Sequence, residues 1–301
     1  MTSTSGRSLE LFFVDGQPDG LLTAELFNWT GHVLQVPRTR LKEALRRTEC
    51  GFTGVYILLG DREAGPTAYI GESEDIGARL RNHALEKEWW DRAIIITTAA
   101  NNLHKAHVKY LESRLVELAI KAGNTPLENG NTPARSSLSE AAQTNMEVFI
   151  NNLSVVLPAI RVDLLVDRTR PKIPDEDTKT AGQTAFILTS ERAGIHARAV
   201  LKEGELIVQA ASQVRSAWVG KGSWDKGYRK LREHLIETGI IDFQEGTGVF
   251  TENYAFSSPS AAAAVIVGRA ANGRTEWHVE GRKQTYGEWE EEQLRTEGST
   301  T

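Results

Sequence analysis

Several features that mark common protein classes are scarce in this sequence. Cys50 is the one cysteine among 301 residues, so a framework of internal disulfides is excluded, and a reducing cytoplasm is the expected location. No apolar run is long enough for a membrane-spanning helix, and the start, Met1 to Leu9, lacks the hydrophobic core of a signal peptide. Positive charge is also limited, because the net charge is −5. We therefore expect no membrane partner, and any contact with DNA must rely on local basic patches.

The length of 301 residues is sufficient for two domains with separate cores. Residues 167–183 contain charges and prolines without hydrophobic periodicity, and a linker is predicted over residues 161–183. Residues 1–50 are predicted to be a β-rich cap packed on a domain at 51–160, and a second domain is predicted at 184–292. The expected fold class is α+β, with a small antiparallel sheet flanked by helices followed by a second small α+β domain.

Two strand-like runs, Gly54 to Leu59 and Thr67 to Gly71, lie on either side of a segment rich in turn residues. This pattern predicts an antiparallel hairpin. Side chains alternate between the faces of a strand, so Tyr56 and Tyr69 project from the same side of the sheet if the register pairs them. Tyrosine is a common strand residue, and the hairpin alone therefore does not indicate chemistry.

The segment after the hairpin predicts a helix capped by Ser73 and beginning at Glu74. Arg79 and His83 are four residues apart and share one face of this helix. The planar guanidinium of Arg79 is suited to phosphate oxygens, and the alternative is an ordinary surface salt bridge. For His83 the alternative is a surface histidine without a role.

A second, longer helix is predicted from Leu103 to Ala122. At 100° per residue, Glu112 falls between Val108 and Val116 on its apolar stripe. A carboxylate in that position is costly unless it is paired or binds a metal. Both a buried ion pair with Arg79 and a metal site remain open on this reasoning. A zinc site at His104, His107 and Glu112 is a further alternative, although no cysteine lies nearby in the sequence.

The pairing of Gly54-Val55-Tyr56 with Tyr69-Ile70-Gly71, followed by Arg79, His83 and Glu112, resembles the GIY-YIG nuclease family over residues 51–160. The resemblance implies a metal-dependent endonuclease that hydrolyses phosphodiester bonds. It implies Tyr56 as the general base, Tyr69 and His83 as further catalytic residues, Arg79 against the phosphate, and Glu112 as the ligand of one Mg²⁺ or Mn²⁺. Supporting roles fall to Gly71, Lys105 and Asn131, with Asn129 as the alternative match for the family's asparagine.

The general base needs help from nearby positive charge, because a free phenol titrates near 10. We expect Arg79, the metal and either Lys105 or Lys109 to lower the pKa of Tyr56 into a useful range.

The run from Phe256 to Gly268, followed by Asn272 to Trp277, resembles a small domain often attached to restriction enzymes and adenine methylases. The resemblance implies selection of the substrate, with modified DNA as one proposal. Lys221, Trp224 and Arg229 lie in a basic cluster and are candidate nucleic-acid contacts, since aromatic rings stack on bases. Alternatively, the charges form a solvated helix face.

The expected function is a metal-dependent DNA endonuclease in bacterial restriction or phage defence. One site per chain cuts one strand, so double-strand cutting would require a homodimer or two successive nicks. The alternative is a catalytically weak nucleic-acid reader that uses the nuclease fold as a scaffold. A third reading, a module that docks a partner protein, is favoured by the acidic balance and by the glutamate-rich segment Glu288 to Glu297.

Overall fold

The computed structural model describes residues 6–62, 65–170, 184–202, 204–222, 226–244 and 246–297. The chain divides into two compact units, Met1–Asp167 and Arg168–Thr301, which we call the N-terminal and C-terminal units. Both combine helices with antiparallel sheets, which confirms the predicted α+β class. Among the described residues, no helix is both long and apolar enough to cross a bilayer.

The N-terminal unit is built on one six-stranded sheet with the strand order β1-β2-β3-β6-β4-β5. The strands are β1 (Leu9–Phe13), β2 (Leu22–Leu26), β3 (Gly31–Pro37), β4 (Gly54–Arg62), β5 (Gly65–Ser73) and β6 (Trp90–Thr98). The helices are α1 (Leu41–Ala44), α2 (Ile76–Glu86), α3 (Lys105–Ala122) and α4 (Glu140–Ala159). The predicted hairpin is β4–β5, and β5 is an edge strand of the sheet.

Residues 1–50 were predicted to be a cap packed on the sheet, but their strands belong to the sheet itself. Strand β3 pairs with β6 along its whole length, from Gly31 opposite Thr98 to Pro37 opposite Arg92. The backbone groups on this side of β6 need hydrogen-bonding partners, and β3 supplies them more completely than a packed cap would. Strand β3 itself was not predicted.

The sheet is buried on both faces, and the alternation along β4 decides which residue faces which layer. Val55 and Ile57 join the core that contains α3 and α4. Tyr56 and Leu58 join the opposite core, which contains residues of α1 and α2. Tyr56 is therefore directed toward α2, the helix that carries Arg79 and His83.

Helix α2 begins two residues later than predicted. Its N-cap is Asp75, whose Oδ1 accepts a hydrogen bond of 2.8 Å from the Ala78 amide. Ser73, the predicted cap, is the last residue of β5, and its hydroxyl donates to the Asp75 carbonyl at 2.7 Å. The chain needs the intervening residues to turn from the strand into the helix.

The C-terminal unit has its own six-stranded sheet, ordered β15-β8-β9-β10-β14-β7, and a three-stranded sheet ordered β11-β13-β12. The strands are β7 (Thr169–Arg170), β8 (Thr184–Ser190), β9 (Ile195–Lys202), β10 (Glu205–Val208), β11 (Gln213–Val214), β12 (Ile241–Gln244), β13 (Thr247–Phe250), β14 (Asn253–Phe256) and β15 (His278–Val279). The helices are α5 (Lys226–Glu237), α6 (Pro259–Val267), α7 (Gly273–Glu276) and α8 (Tyr286–Glu297).

The predicted linker at 161–183 differs from the structure in its described part, because Val162, Leu164 and Leu165 are buried in a core of the N-terminal unit. Thr169 and Arg170 form β7 and pair with Tyr254 and Asn253 of β14, so this part of the segment belongs to a sheet. Residues 171–183 lie outside the described residues.

Candidate active site at the open edge of the N-terminal sheet

The register of the hairpin places the two tyrosines diagonally across from each other. Tyr56 is directly opposite Gly71, and Tyr69 is directly opposite Leu58. Since Tyr56 and Leu58 share a face of β4, both phenols project from the same face of the sheet. Their ring centroids are 6.2 Å apart.

Gly71 is required by the position of the Tyr56 ring. A Cβ atom on Gly71 would lie 2.3 Å from Tyr56 Oη and 2.5 Å from Cζ. These separations are far shorter than a van der Waals contact. The absence of a side chain at Gly71 therefore allows the phenol to lie flat across β5.

Helix α2 supplies two hydrogen-bonding partners for the Tyr56 hydroxyl. His83 Nε2 lies 2.8 Å from Tyr56 Oη, and Arg79 Nε donates to the same oxygen at 3.3 Å. The neutral tautomer of His83 with its proton on Nδ1 accepts the hydroxyl proton of Tyr56 at Nε2, whereas the other tautomer donates to the same oxygen. The His83 and Tyr69 rings meet edge to face, with centroids 5.3 Å apart.

Burial dominates the proton chemistry of this group. Tyr56 is 0% exposed, and desolvation raises the pKa of its phenol despite the opposing effect of Arg79. Of the cations expected to lower the pKa of Tyr56, Arg79 does so, but its effect is smaller than that of burial. Burial, together with the charges of Arg79 and Lys87, lowers the pKa of His83 to about 4. His83 is accordingly neutral at pH 7.

Lys87 was not predicted to belong to the site. Its Nζ lies 4.8 Å from the centre of the Tyr69 ring and 2.9 Å from Glu128 Oε1. It directly follows α2, one helical turn after His83, and this spacing was the available signal in the sequence.

The outer edge of β5 is covered at its start and middle by the segment after α3. Ala68 exchanges backbone hydrogen bonds with Pro126 and Glu128. The Asn129 side chain then pairs with the Ile70 backbone, accepting at 3.0 Å and donating at 2.7 Å. Of the two asparagines considered, Asn129 contacts the tyrosine hairpin, while Asn131 is exposed.

Glu112 lies beside Glu72 of β5, two residues beyond Ile70, where the segment after α3 no longer covers the edge strand. It is half-buried on α3, between the fully buried Val108 and Val116, as the helical spacing predicted. Desolvation, followed by repulsion from Glu72, raises the pKa of Glu112 to about 7, while Lys105 and Arg79 oppose the shift. Arg79 thus acts electrostatically on both Tyr56 and Glu112.

The donor set at this edge fits a hard divalent cation. Lys105 Nζ pairs with Glu72 Oε1 at 2.8 Å. The negative charge of Glu112 is balanced less completely, and Glu72 repels it. One carboxylate with waters suits Mg²⁺ or Mn²⁺. Zinc is not favoured, because no group of three or more His, Cys, Asp or Glu residues in the described ranges is arranged to hold a metal. The His104 and His107 rings instead stack at 3.6 Å.

The predicted nucleic-acid contacts of the C-terminal unit differ in their surroundings. Lys221 and Arg229 are exposed, and Arg229 Nε is 2.9 Å from Glu233 Oε1. Trp224 lies outside the described residues.

Arg232, from the same basic cluster, is 3% exposed and donates to the carbonyls of Val265, at 2.8 Å, and of Arg215. It therefore supports the end of α6 and is not available to a ligand. Its position between Tyr228 and Leu235 on the apolar stripe of α5 was the sequence signal for this burial.

Comparison with known proteins gives a match in the C-terminal unit. Residues 186–290 match a family model described as "Domain of unknown function (DUF4357)". The N-terminal unit has no match to a GIY-YIG family model. Neither the curated proteins nor the solved structures contain a significant match to this chain.

Proposed function

We propose that this chain is a metal-dependent DNA endonuclease of the GIY-YIG type, and that its C-terminal unit selects the DNA, with modified DNA as the candidate substrate. One observation carries the proposal: the Tyr56 hydroxyl is held between Arg79 Nε and His83 Nε2, beside Tyr69. The same Arg79 acts on the half-buried carboxylate of Glu112. Phenol, imidazole, guanidinium and carboxylate together suit the hydrolysis of a phosphodiester.

Tyr56 and His83 act as a pair in the proposed proton transfer. Tyr56 is a neutral phenol, since burial raises its pKa. It takes a proton from the attacking water as it passes its own hydroxyl proton to His83 Nε2, so no free phenolate has to form first. The neutral His83, whose pKa is lowered to about 4, gains positive charge while the phosphate gains negative charge. General-base catalysis of this kind typically contributes about 10²–10⁴-fold.

Arg79 and Tyr69 serve the phosphate in this proposal. The Arg79 side chain is exposed apart from its contacts with Tyr56 and Tyr69, so its remaining N–H groups are available for phosphate oxygens. Tyr69, half-buried beside His83, positions the water or the phosphate. A divalent cation held by Glu112, with Lys105 fixing the adjacent Glu72, would polarise the scissile phosphate and stabilise the leaving oxygen.

Selection of DNA is assigned to the C-terminal unit because it has a separate core and exposed basic side chains at Lys221 and Arg229. We assign both to contacts with phosphates, which position the DNA without reading its sequence. Arg229 would exchange its surface partner Glu233 for a phosphate at small cost, because such exposed pairs stabilise by about 0–1 kcal/mol.

The test is the cleavage of supercoiled plasmid and of modified phage DNA with Mg²⁺ or Mn²⁺, beside the Glu112→Ala variant. Cutting that requires the metal and disappears in the variant would establish the nuclease. A preference for modified DNA would support the assignment of substrate selection to the C-terminal unit. Linear product formed in one step would indicate that two copies act together, whereas nicked circles would indicate one chain at a time.

A second function, a nucleic-acid reader without cleavage, is favoured by the complete burial of Tyr56. A general base must contact the water that it activates, and a buried hydroxyl does so only if the substrate rearranges its surroundings. DNA that binds without being cut under any metal condition would support the reader. Retarded migration of the same plasmid on a gel, with no nicked product, is the result that distinguishes it.

A further inference from the structure

A cavity of about 350 Å³ lies in the N-terminal unit, apart from the candidate active site. Three segments form its walls: the turn between β2 and β3, the loop between β6 and α3, and one face of α4. None of the residues that line it is Asp, Glu, Lys or Arg, although a quarter of the chain is charged. The lining residues themselves contribute no carboxylate, ammonium or guanidinium group, which favours a neutral ligand, although the Arg7 guanidinium donates to Asn152 Oδ1 at 3.3 Å.

The lining is nevertheless rich in hydrogen-bonding groups. Four side-chain amides contribute to it, from Asn28, Asn102, Asn145 and Asn152. An amide carries both donors and an acceptor, although Asn152 Oδ1 already accepts from Arg7 at 3.3 Å, and this combination matches the mixed edge of a nucleobase better than an apolar ligand. In addition, the buried Trp29 Nε1 and His107 Nδ1 of the lining have no hydrogen-bond partner among the described residues. Buried polar groups of this kind normally have a partner.

Two aromatic residues, Trp29 and Phe149, line the cavity. The Trp29 and Phe149 rings contact each other with centroids 4.9 Å apart. The Trp29 indole occupies the space beside Gly31, where a Cβ atom would lie 2.1 Å from the ring. Aromatic rings beside amides are a combination that holds a base taken out of a helical stack.

The cavity is connected to the candidate active site through the loop that joins β6 to α3. At one end of this loop, Asn102 lines the cavity. The neighbouring Asn101 accepts a hydrogen bond of 3.0 Å from the Thr53 amide, directly before Gly54-Val55-Tyr56. Lys105, at the start of α3, pairs with Glu72 beside Glu112. The loop therefore links the cavity, whose Met146 and Phe149 belong to the core with α3 and α4, to the strand that carries Tyr56 on the opposite face of the sheet.

We propose that this cavity binds one unpaired or extruded nucleobase of the DNA substrate. The proposal rests on the proposed function only for the source of the base. The chemistry of the lining assigns the ligand class independently, as a neutral planar heterocycle with hydrogen-bonding edges.

The first experiment measures binding of adenosine, guanosine, cytidine and thymidine to the full chain by titration calorimetry without divalent metal. Asn145→Ala removes an exposed amide of the lining, and Asn151→Ala removes an exposed amide on the same helix outside the cavity. We expect saturable binding of at least one nucleoside, weakened about tenfold by Asn145→Ala and unchanged by Asn151→Ala. No binding at millimolar nucleoside, or equal affinities of the two variants, would overturn the proposal.

Methyl glucoside serves as the second ligand, since amides beside tryptophan also suit a neutral sugar. Binding of the glucoside with the same dependence on Asn145, and no binding of any nucleoside, would overturn the assignment of a base. The two proposals can fail separately, because nucleoside binding is measured without DNA cleavage. Plasmid cutting without nucleoside binding refutes the cavity proposal alone, and nucleoside binding without cutting refutes the nuclease alone.

Discussion

At the scale of single residues, the chemistry of the candidate active site depends on one hydroxyl group. Tyr56→Phe removes only the oxygen that joins Arg79 to His83 and leaves the buried ring in place. We expect cleavage to fall about 10²–10⁴-fold or more, while the loss of one buried hydrogen-bonding group lowers stability by about 1–3 kcal/mol. Plasmid cleavage and thermal unfolding, measured on the same preparation, check this. Retained cleavage would show that Tyr56 is not the base.

Glu112 provides a test that does not depend on activity. Burial and Glu72 raise its pKa to about 7 from 4.5, so the folded protein holds this proton more tightly than the unfolded chain. Its effect on stability is therefore most favourable below pH 4.5 and is lost as the pH rises toward 7. Without metal, Glu112→Gln should be more stable than the parent at pH 8 by about 1–3 kcal/mol, and similar at pH 4.

The metal response of Glu112→Gln completes this test. At pH 8, Mg²⁺ should raise the unfolding temperature of the parent chain but not that of the variant, because a neutral amide is a much poorer ligand. Equal metal-free stabilities at pH 8 would contradict the raised pKa. Equal stabilisation by Mg²⁺ would instead place the cation elsewhere.

The Gly71→Ala variant tests whether the Tyr56 ring must lie across β5. In Gly71→Ala the new methyl would be 2.3 Å from Tyr56 Oη, so the phenol must move away from Arg79 and His83. We expect a loss of about 1–3 kcal/mol in unfolding free energy together with reduced cleavage. Gly51→Ala is the matched control, because a Cβ atom there meets nothing within 4 Å. Denaturant unfolding of both variants gives the comparison, and equal stabilities would contradict the geometry.

At the scale of elements, two arginines of α5 separate structural from binding roles. Arg232 is buried and donates to the Val265 and Arg215 carbonyls, whereas Arg229 pairs with Glu233 at the surface. Arg232→Met leaves those carbonyls without their donor and should destabilise the C-terminal unit by about 2–4 kcal/mol. Arg229→Ala should change stability by less than about 0.5 kcal/mol but weaken DNA binding. Thermal unfolding and gel-shift titration check both, and the reverse pattern would contradict these roles.

The sequence predicted the elements that carry the candidate site better than the sheet around them. The β4–β5 hairpin, α2 and α3 follow from strand alternation and helical spacing, and so does the half-buried position of Glu112. Strand β3 escaped prediction because its burial does not alternate simply: Val33, Leu34 and Val36 are all buried. Strand alternation also predicts the face of the sheet from which Tyr56 projects. It does not predict how deeply the Tyr56 ring is buried, because that depends on the packing of α2 over the ring. The raised pKa of the phenol could therefore not be predicted.

At the scale of the whole molecule, the two units have separate hydrophobic cores. The cores of the N-terminal unit contain residues up to Leu165, and the core of the C-terminal unit begins at Phe186. The candidate catalytic groups and the cavity lined by Trp29 and Phe149 belong to the first unit, and the family match belongs to the second. A chain of net charge −5 attracts DNA weakly as a whole, so a separate unit that selects DNA would compensate for this.

This separation predicts that cutting and selection can be divided experimentally. A fragment of residues 1–167 should unfold in one cooperative transition, because both of its cores are complete without the C-terminal unit. It should still cut unmodified plasmid with Mg²⁺ but lose any preference of the full chain for modified DNA. Competition cleavage of modified and unmodified DNA measures this preference, and the same fragment with Glu112→Ala controls for contaminating nucleases. A fragment that folds, cuts and keeps the preference would place substrate selection in the N-terminal unit.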